Sequence, residues 1–352
     1  MAFFNNNRLN HYSGLFFPGF LLLVLINCSS DDDATTIQEQ EDPQEPIIES
    51  PVLNAPRSLI NEVTISWNDY DGATGFEVDV STDTGFSEIL STYDSSRVSG
   101  LTTQLVDLAA GTEHYIRIRA VLSKGVLSPN SNIQMIRTLE DKACGNPAEY
   151  VFVESGGIVK AEFEDAFFEN KWALISNDAS TSGSGYMRWD GADYFGSPST
   201  DLTTFKISIS TTGTYRFIWR SAYTVGNNGT EHNDTWLRFP DADDFFAQQE
   251  GGGKVFPRGV GKTPNPEGAS TDGWFKIYRS GDDKGFKWQS NTYDNNAHPV
   301  FITFDEPDTY TMEVSARSNG HGIDQFALFH KDNVSETQAT SADFSEIVCS
   351  TD

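Results

Sequence analysis

Basic residues are scarce in this sequence. It holds 24 lysines and arginines against 51 aspartates and glutamates, which gives a formal net charge of -27. A chain this acidic repels the phosphates of nucleic acids and the anionic face of a lipid bilayer. We therefore exclude nucleic acid as a partner and expect a ligand that is neutral or bridged by a cation.

Long apolar runs are also missing. The apolar run 15–26 is interrupted by Pro18 and Gly19, and it is shorter than the roughly 20 residues that a membrane-spanning helix needs. Arg8 precedes it, so a basic segment, a short apolar segment and a processing point follow one another. This order predicts a secretion signal over residues 1–27.

Cysteine occurs three times, and the first follows that signal directly. Leu25-Ile26-Asn27-Cys28 resembles a bacterial lipobox, in which the leader is cut before the cysteine and the cysteine carries the lipid. Asn27 departs from the small residue usual there, so an ordinary signal peptide with a free thiol remains the alternative. Ser30 and the aspartates 31–33 resemble the acidic tag that exports lipoproteins of Gram-negative glycan degraders. The resemblance implies a lipid anchor at Cys28 and a position on the outer face of the outer membrane.

Residues 28–52 lack any basic side chain and are rich in acids and prolines. Charge repulsion and proline stiffness extend such a segment. We predict an acidic tether that holds the folded part away from the membrane.

A long amphipathic helix is absent as well. Beyond the tether, short runs with alternating apolar residues are separated by glycine, asparagine, aspartate and serine clusters, which predicts an all-β protein. Val63, Ile65 and Trp67 show this alternation. Residues 53–139 resemble a fibronectin type III β-sandwich, with Trp67 at the position of the core tryptophan and Tyr115 at that of the corner tyrosine. We interpret this domain as a spacer.

Residues 144–350 are long enough for a second β-sandwich core. The expected strands are 149–153, 158–164, 203–209, 214–221, 234–239, 273–279, 299–304, 309–317 and 323–330. Residues 240–272 contain three successive glycines and several prolines, which favours one long loop.

Three acids lie near the two ends of this second unit. Glu162 and Glu164 are two residues apart and therefore share one side of a strand, and Asp324 lies in a strand near the other end. Carboxylates from neighbouring strands suit Ca²⁺, which takes six to eight oxygen ligands. The alternative is three surface acids in an acidic protein.

Four short motifs in this unit carry a second resemblance: "EFED" at 162–165, "GSGYMRWDG" at 183–191, "TTGTYRFIWRSA" at 211–222 and "GIDQFAL" at 322–328. The residues in these motifs, and the order in which the motifs follow one another, resemble those of family 6 and family 35 carbohydrate-binding modules. The resemblance implies a non-catalytic jelly-roll β-sandwich with a structural Ca²⁺ held by Glu162, Glu164 and Asp324. The 240–298 region is longer than in compact members, which puts the position of the ligand loops in doubt.

A sugar site needs flat aromatic faces and a few hydroxyl-binding groups. The resemblance implies Tyr186 and Asn319 as ligand residues in loops at one end of the sandwich. Neighbouring candidates are Trp189, Tyr194, Trp236 and His321.

Cys144 and Cys349 bracket this unit. An oxidising envelope allows a disulfide between them, which requires the first and last strands to lie side by side as in a jelly roll. Two buried free thiols are the alternative.

The sequence thus favours a cell-surface lipoprotein that binds a polysaccharide or oligosaccharide without catalysis, with outer-membrane glycan-uptake proteins as candidate partners. A polysaccharide lyase or glycosidase on the jelly roll is one alternative, although no nucleophile elbow, zinc-protease motif or phosphate loop occurs. An adhesion or assembly protein that binds another envelope protein is the other.

Overall fold

The computed structural model describes residues 49–176 and 178–350. These residues form 23 strands, one α-helix at Glu336–Ser341 (α1) and a few 3-10 turns, so the all-β prediction is confirmed. None of the helices within these residues has the length and apolar character needed to cross a bilayer. The signal sequence, Cys28 and most of the predicted tether lie outside the described residues.

Two antiparallel sheets form a fibronectin type III sandwich. Its strands are β1 (Arg57–Ser58), β2 (Val63–Ser66), β3 (Gly75–Ser81), β4 (Ser96–Val98), β5 (Thr102–Leu105), β6 (Glu113–Val121) and β7 (Gln134–Arg137). One sheet has the order β1-β2-β5 and the other β4-β3-β6-β7.

The core of this sandwich follows the predicted alternation. Val63, Ile65 and Trp67 are all buried, and the ring of Trp67 lies 5.1 Å from that of Phe76. Burying this apolar face is the main gain in folding such a small sandwich.

The prediction for Tyr115 is wrong. Alternation along β6 turns the even-numbered side chains inward, so His114 is buried while Tyr115 is partly exposed. The Tyr115 hydroxyl donates to Glu113 at 3.2 Å rather than closing a corner of the sandwich. Desolvation lowers the pKa of the buried His114 imidazole.

The remaining strands build a jelly roll. They are β8 (Tyr150–Val153), β9 (Ile158–Glu162), β10 (Trp172–Ile175), β11 (Tyr186–Trp189), β12 (Leu202–Ile209), β13 (Gly213–Tyr223), β14 (Asp234–Arg238), β15 (Asp244–Gln248), β16 (Lys254–Val255), β17 (Phe275–Tyr278), β18 (Lys287–Trp288), β19 (Asn291–Thr292), β20 (His298–Phe304), β21 (Asp308–Ser315), β22 (His321–His330) and β23 (Ile347–Cys349). One layer has the order β10-β11-β22-β13-β20, and the other has the order β19-β17-β14-β21-β12-β8-β23. The two layers are joined where β19 pairs with β20.

Aromatic side chains fill the space between the layers. Phe205 of one layer contacts Phe326 of the other with ring centroids 5.1 Å apart, and Phe163 lies 5.2 Å from Phe205. Alternating inward residues on facing strands produce this packing, as the period-2 pattern predicts.

The expectation of one loop over 240–272 is wrong in part. Residues 244–248 form β15, which pairs with β20 from Asp244↔Thr303 to Ala247↔Val300, and β15 also pairs with β16. Phe245 and Phe246 are both buried, one on each face of the strand. A strand covered on both faces shows no alternation, which is why the pattern missed it.

The Cys144–Cys349 disulfide is present, with its Cα atoms 6.0 Å apart. It stands where the prediction requires, because β23 pairs with the first jelly-roll strand β8 and places Cys349 opposite Tyr150. The two sandwiches also touch: Nη2 of Arg57 donates to the carbonyl of Phe168 at 2.7 Å.

Candidate functional site

Four connections meet at one end of the jelly roll: residues 190–201, 224–233, 279–286 and 316–320. The strand registers bring them together, because Leu202 faces Ser315, Asp234 faces Tyr278, and Arg188 faces Gly322. Each of these connections begins or ends at the same edge of its layer. Loops carried on a rigid sandwich are well placed for binding.

The shelf at this end, which we call the Asn319 shelf, consists of Asp193, Tyr194, Phe195, His232 and Asn319. Oδ1 of Asp193 accepts a hydrogen bond from the backbone N–H of Asn319 at 2.8 Å. Nδ1 of His232 lies 2.5 Å from the carbonyl oxygen of Asn319. These bonds fix three of the four connections against one another.

Phe195 supplies an exposed aromatic face on this shelf. Its side chain is 56% exposed, and the guanidinium carbon of Arg317 lies 5.0 Å from its ring centroid. Arg317 is also 4.9 Å from the ring of Trp236 and forms an ion pair with Asp234. A supported ring beside a carboxylate and an amide can stack on an apolar ligand face while its neighbours bind hydroxyl groups.

The sequence-predicted residues Trp189, Tyr194, Trp236 and Asn319 do come together here. Nε1 of Trp189 donates to the carbonyl of Ala192 at 2.8 Å, and Nε1 of Trp236 donates to the carbonyl of Tyr194 at 2.9 Å. Both indoles are buried, whereas Tyr194 and Asn319 are partly exposed. A buried indole presents no face to a ligand, so the structure assigns both tryptophans to the support of the shelf.

His321 and Tyr186 are buried too, and neither lies on the shelf surface. Nδ1 of His321 lies 2.7 Å from the Thr235 hydroxyl, and burial, assisted by nearby arginines, lowers the His321 pKa to about 3. Tyr186 is 5% exposed because Phe286 covers it with its ring centroid 4.9 Å away. Both side chains therefore belong to the packing beneath or beside the loops.

Sequence reasoning missed Asp193, Phe195 and Arg317, and it considered His232 only as a candidate base for the enzyme alternative. One signal was present: "ADYFG" at 192–196 places two aromatic residues in a loop of small and polar residues. An aromatic side chain that leaves a strand pattern and enters a polar loop is a binding-site signal. His232 and Arg317 had no such signal, because only the tertiary structure brings them to the shelf.

The predicted metal ligands Glu162 and Glu164 lie together in the interior, below the turn 182–184. The Ser182 hydroxyl donates to Oε2 of Glu162 at 3.0 Å, and the backbone N–H of Ser184 donates to Oε1 of Glu164 at 2.7 Å. Oε2 of Glu164 is buried and has no hydrogen-bond partner among the described residues. Gly183 closes the turn over both carboxylates, and an added Cβ would lie 3.0 Å from Cδ of Glu162.

Asp324 belongs to the same cluster, but its carboxylate already forms an ion pair with the Arg220 guanidinium. Arg220 donates to Oδ2 of Asp324, and the backbone N–H of Ser182 donates to Oδ1 at 3.1 Å. A bulge in the pairing of β13 with β22, between Arg220 and Ser221, coincides with this contact.

Burial and mutual repulsion raise the pKa values of the cluster. Desolvation, with a contribution from Asp324, raises the pKa of Glu162 to about 7 despite the Ser182 hydrogen bond. Desolvation and the charge of Glu162 raise the Glu164 pKa well above its usual value, and desolvation also raises that of Asp324. The raised pKa values show that the ionised forms of these carboxyl groups are disfavoured, and a bound cation would favour them again.

These residues fit a calcium ion in part. Within the described ranges, no three His, Cys, Asp or Glu side chains are arranged as a metal-binding group. Glu162 and Glu164 nevertheless offer converging carboxylates, one with an unpartnered oxygen, beside the backbone of the 182–184 turn. Carboxylates and backbone carbonyls are the ligands that Ca²⁺ takes. Asp324 would have to share an oxygen with Arg220.

No protein-family model matches this chain, and no curated protein matches it either. Similar solved structures include an Fn3-like protein from Clostridium thermocellum, with 23% identity over 27% of this chain and 97% of that one, at a TM-score of 0.21. A GH26-CBM35 β-(1,4)-mannanase from Podospora anserina is 15% identical over 52% of this chain and 29% of its own, at a TM-score of 0.31. Arthrobacter globiformis T6 isomalto-dextranase complexed with panose is 13% identical over 79% of this chain and 34% of its own, at a TM-score of 0.30. This chain thus spans about a third or less of the two enzymes, and likenesses at these scores carry no argument about function.

Proposed function

We propose that this protein is a non-catalytic, lipid-anchored glycan-binding protein of the outer-membrane surface. The observation that carries the proposal is the Asn319 shelf, where the exposed ring of Phe195 lies in one loop with the carboxylate of Asp193 and beside the amide of Asn319. Rings that stack on the C–H face of a pyranose, together with side chains that bind its hydroxyls, are what a saccharide site requires.

The rest of the chain holds the Asn319 shelf away from the membrane surface. In this proposal Cys28 carries the lipid, residues 28–52 form an extended acidic tether, and the fibronectin type III sandwich is a spacer. Weak binding at one shelf suffices, because many anchored copies on one surface bind the same polysaccharide together. Glycan-uptake proteins of the outer membrane are the proposed neighbours.

The shelf supports binding better than glycoside hydrolysis. Hydrolysis needs two carboxyl groups about 5–9.5 Å apart across a cleft. The shelf contains the single carboxylate of Asp193, one oxygen of which is already held by Asn319. A structural Ca²⁺ at Glu162 and Glu164 would stabilise the fold without taking part in binding.

Affinity electrophoresis of the purified protein through gels that contain different soluble polysaccharides tests the proposal. We expect retardation by at least one glycan, and loss of that retardation in Phe195→Ala. Absence of retardation by every glycan, together with capture of one envelope protein, would support adhesion instead. Release of new reducing ends or unsaturated products would show that the protein is an enzyme.

A further inference from the structure

A second concave site lies beside the Asn319 shelf. The cleft measures about 520 Å³, which falls within the range of small-molecule pockets. Its lining includes Asn233, Asp234, Glu267, Lys276, Tyr278 and Asp294. We call it the Tyr278 cleft. Asn233 follows the shelf residue His232 directly, so the two sites adjoin.

Tyr278 provides the aromatic wall of this cleft and is held in place. The residue is partly exposed at the end of β17, and its hydroxyl donates to the carbonyl of Tyr293 at 3.3 Å. Nζ of Lys276 lies 5.5 Å from its ring centroid. A fixed, partly exposed ring can stack on a ligand with little loss of side-chain entropy.

Asn233 offers an open hydrogen-bond acceptor in the same lining. The residue is 6% exposed, and its Nδ2 donates to the carbonyl of Arg279 at 2.6 Å. None of the described residues donates to its Oδ1. This oxygen is not among the buried side-chain atoms that lack a partner, so solvent reaches it, and a ligand hydroxyl that enters the cleft can donate to it in place of water.

The charges of the cleft disfavour an anionic ligand. Among the described residues of the lining, Lys276 is the one cation, and it is already paired with Asp294. Asp234 is paired with Arg317, while Glu267 is exposed and forms no ion pair within the described residues. A carboxylate or sulfate would therefore lose hydration without gaining a cation.

We propose that the Tyr278 cleft is a second saccharide subsite, which binds an uncharged pyranose residue of a glycan that also contacts the Asn319 shelf. The inference rests on the proposed function, since it names the class of ligand for the same end of the sandwich. A ring for the C–H face, an open acceptor for a hydroxyl and the absence of a free cation together fit a neutral sugar better than a uronate or a sulfated sugar.

The test is calorimetric titration of the full chain with neutral oligosaccharides of increasing length, taken from the polysaccharide that retards it. We expect Tyr278→Ala to weaken binding of the longer oligosaccharides by about 3–10-fold and Tyr278→Phe to leave it within about twofold, because Phe keeps the ring. Glu267→Lys adds a free cation and is expected to improve binding of uronate-containing oligosaccharides.

Tyr278→Ala could also lose stability, so a second measurement uses the unaltered protein. Side-chain amide NMR signals of Asn233 and of Asn295, which also lines the cleft, should shift during titration with the neutral oligosaccharide. If Phe195→Ala loses binding while Tyr278→Ala binds normally and the Asn233 signal stays fixed, the cleft is not a subsite although the proposed function stands. If no glycan binds the unaltered protein, both proposals fail.

Discussion

The backbone N–H of Asn319 donates a 2.8 Å hydrogen bond to Oδ1 of Asp193, and this bond joins loops 126 positions apart in the chain. The contact brings the amide of Asn319 next to the loop that carries the exposed ring of Phe195. The carboxylate and the ring belong to the loop 190–201, whereas the amide belongs to residues 316–320, so the three groups come together only after the sandwich has closed.

Phe195→Ala should weaken glycan binding by about 2–10-fold, because aromatic stacking contributes about 0.5–1.5 kcal/mol. The melting temperature should change little, since the ring is mostly exposed. Affinity electrophoresis and a thermal melt check the two expectations. Phe344→Ala is the matched control, because Phe344 is 43% exposed and lies on a different part of the jelly roll. Equal affinity in both variants would remove Phe195 from the site.

Calcium should stabilise the protein. A ligand at about 100 times its dissociation constant adds about 2.7 kcal/mol, which corresponds to a shift of about 5–10 °C in melting temperature for a domain of this size. Glu164→Gln should abolish the shift, whereas Glu250→Gln, at an exposed position, should retain it. Asp324→Ala is a poorer test, because it leaves the partly buried Arg220 without its ion-pair partner whether or not calcium binds. Identical melts with calcium and with a chelator would exclude the metal.

Glu154→Gln should destabilise the jelly roll at neutral pH by about 1–3 kcal/mol. Glu154 is buried, and its Oε2 accepts from the backbone N–H groups of Ser210 and Thr211 at 3.1 and 2.9 Å. Burial alone would raise the pKa of Glu154, but hydrogen bonds from Ser210, Gly157 and Thr211 outweigh it and lower the pKa below 4.5.

The stabilisation from Glu154 therefore has a defined pH dependence. Because the folded-state pKa is lowered, the contribution is present above pH 4.5 and is lost as the pH falls through the folded-state value. Urea unfolding of the unaltered protein and of Glu154→Gln at several pH values should show a difference that shrinks in acid. A difference that stays constant would contradict the assignment.

Cys349→Ser should lower the free energy of unfolding by roughly 2–5 kcal/mol, since the disulfide closes a long loop of the unfolded chain. The two cysteines are 205 positions apart. Urea unfolding with and without a reducing agent measures the effect. The reducing agent should not alter Cys349→Ser, and a response there would point to another cause.

Cys28→Ala should release the protein from the membrane fraction, because a thioether-linked lipid requires the cysteine. Cell fractionation checks this, with Cys349→Ser as a control that keeps Cys28. Retention of Cys28→Ala in the membrane fraction would contradict lipidation and favour the ordinary signal peptide.

Much of the fold follows from local pattern. Alternation of apolar residues located the strand that ends near Trp67 and the long strands β12, β13 and β21, because burying one face of a sheet imposes period 2. The same reasoning failed at β15, which is covered on both faces, and at Tyr115, where a shift of one residue exchanges the buried and exposed positions.

The candidate site, like the fold, could be predicted from the sequence only in part. Glu162, Glu164 and Asp324 were found from spacing and from resemblance, and the structure gathers them in the interior. Trp189 and Trp236 were found as aromatic residues, but the sequence cannot distinguish a ring that faces a ligand from one that supports it. Exposure depends on which neighbours cover a side chain, and those neighbours come from distant loops.

The sequence by itself determined the acidic charge and the all-β character, and it predicted the signal, the lipid at Cys28 and, against the alternative of two free thiols, the pairing of Cys144 with Cys349. Each of these depends on composition, on a short motif or on alternation along one strand. Only the tertiary structure decided that Phe195, rather than Trp189 or Trp236, is exposed, and that Asn233 faces a cleft beside Tyr278. The reason is physical: exposure and convergence are properties of several chain segments packed together, and no single segment carries them.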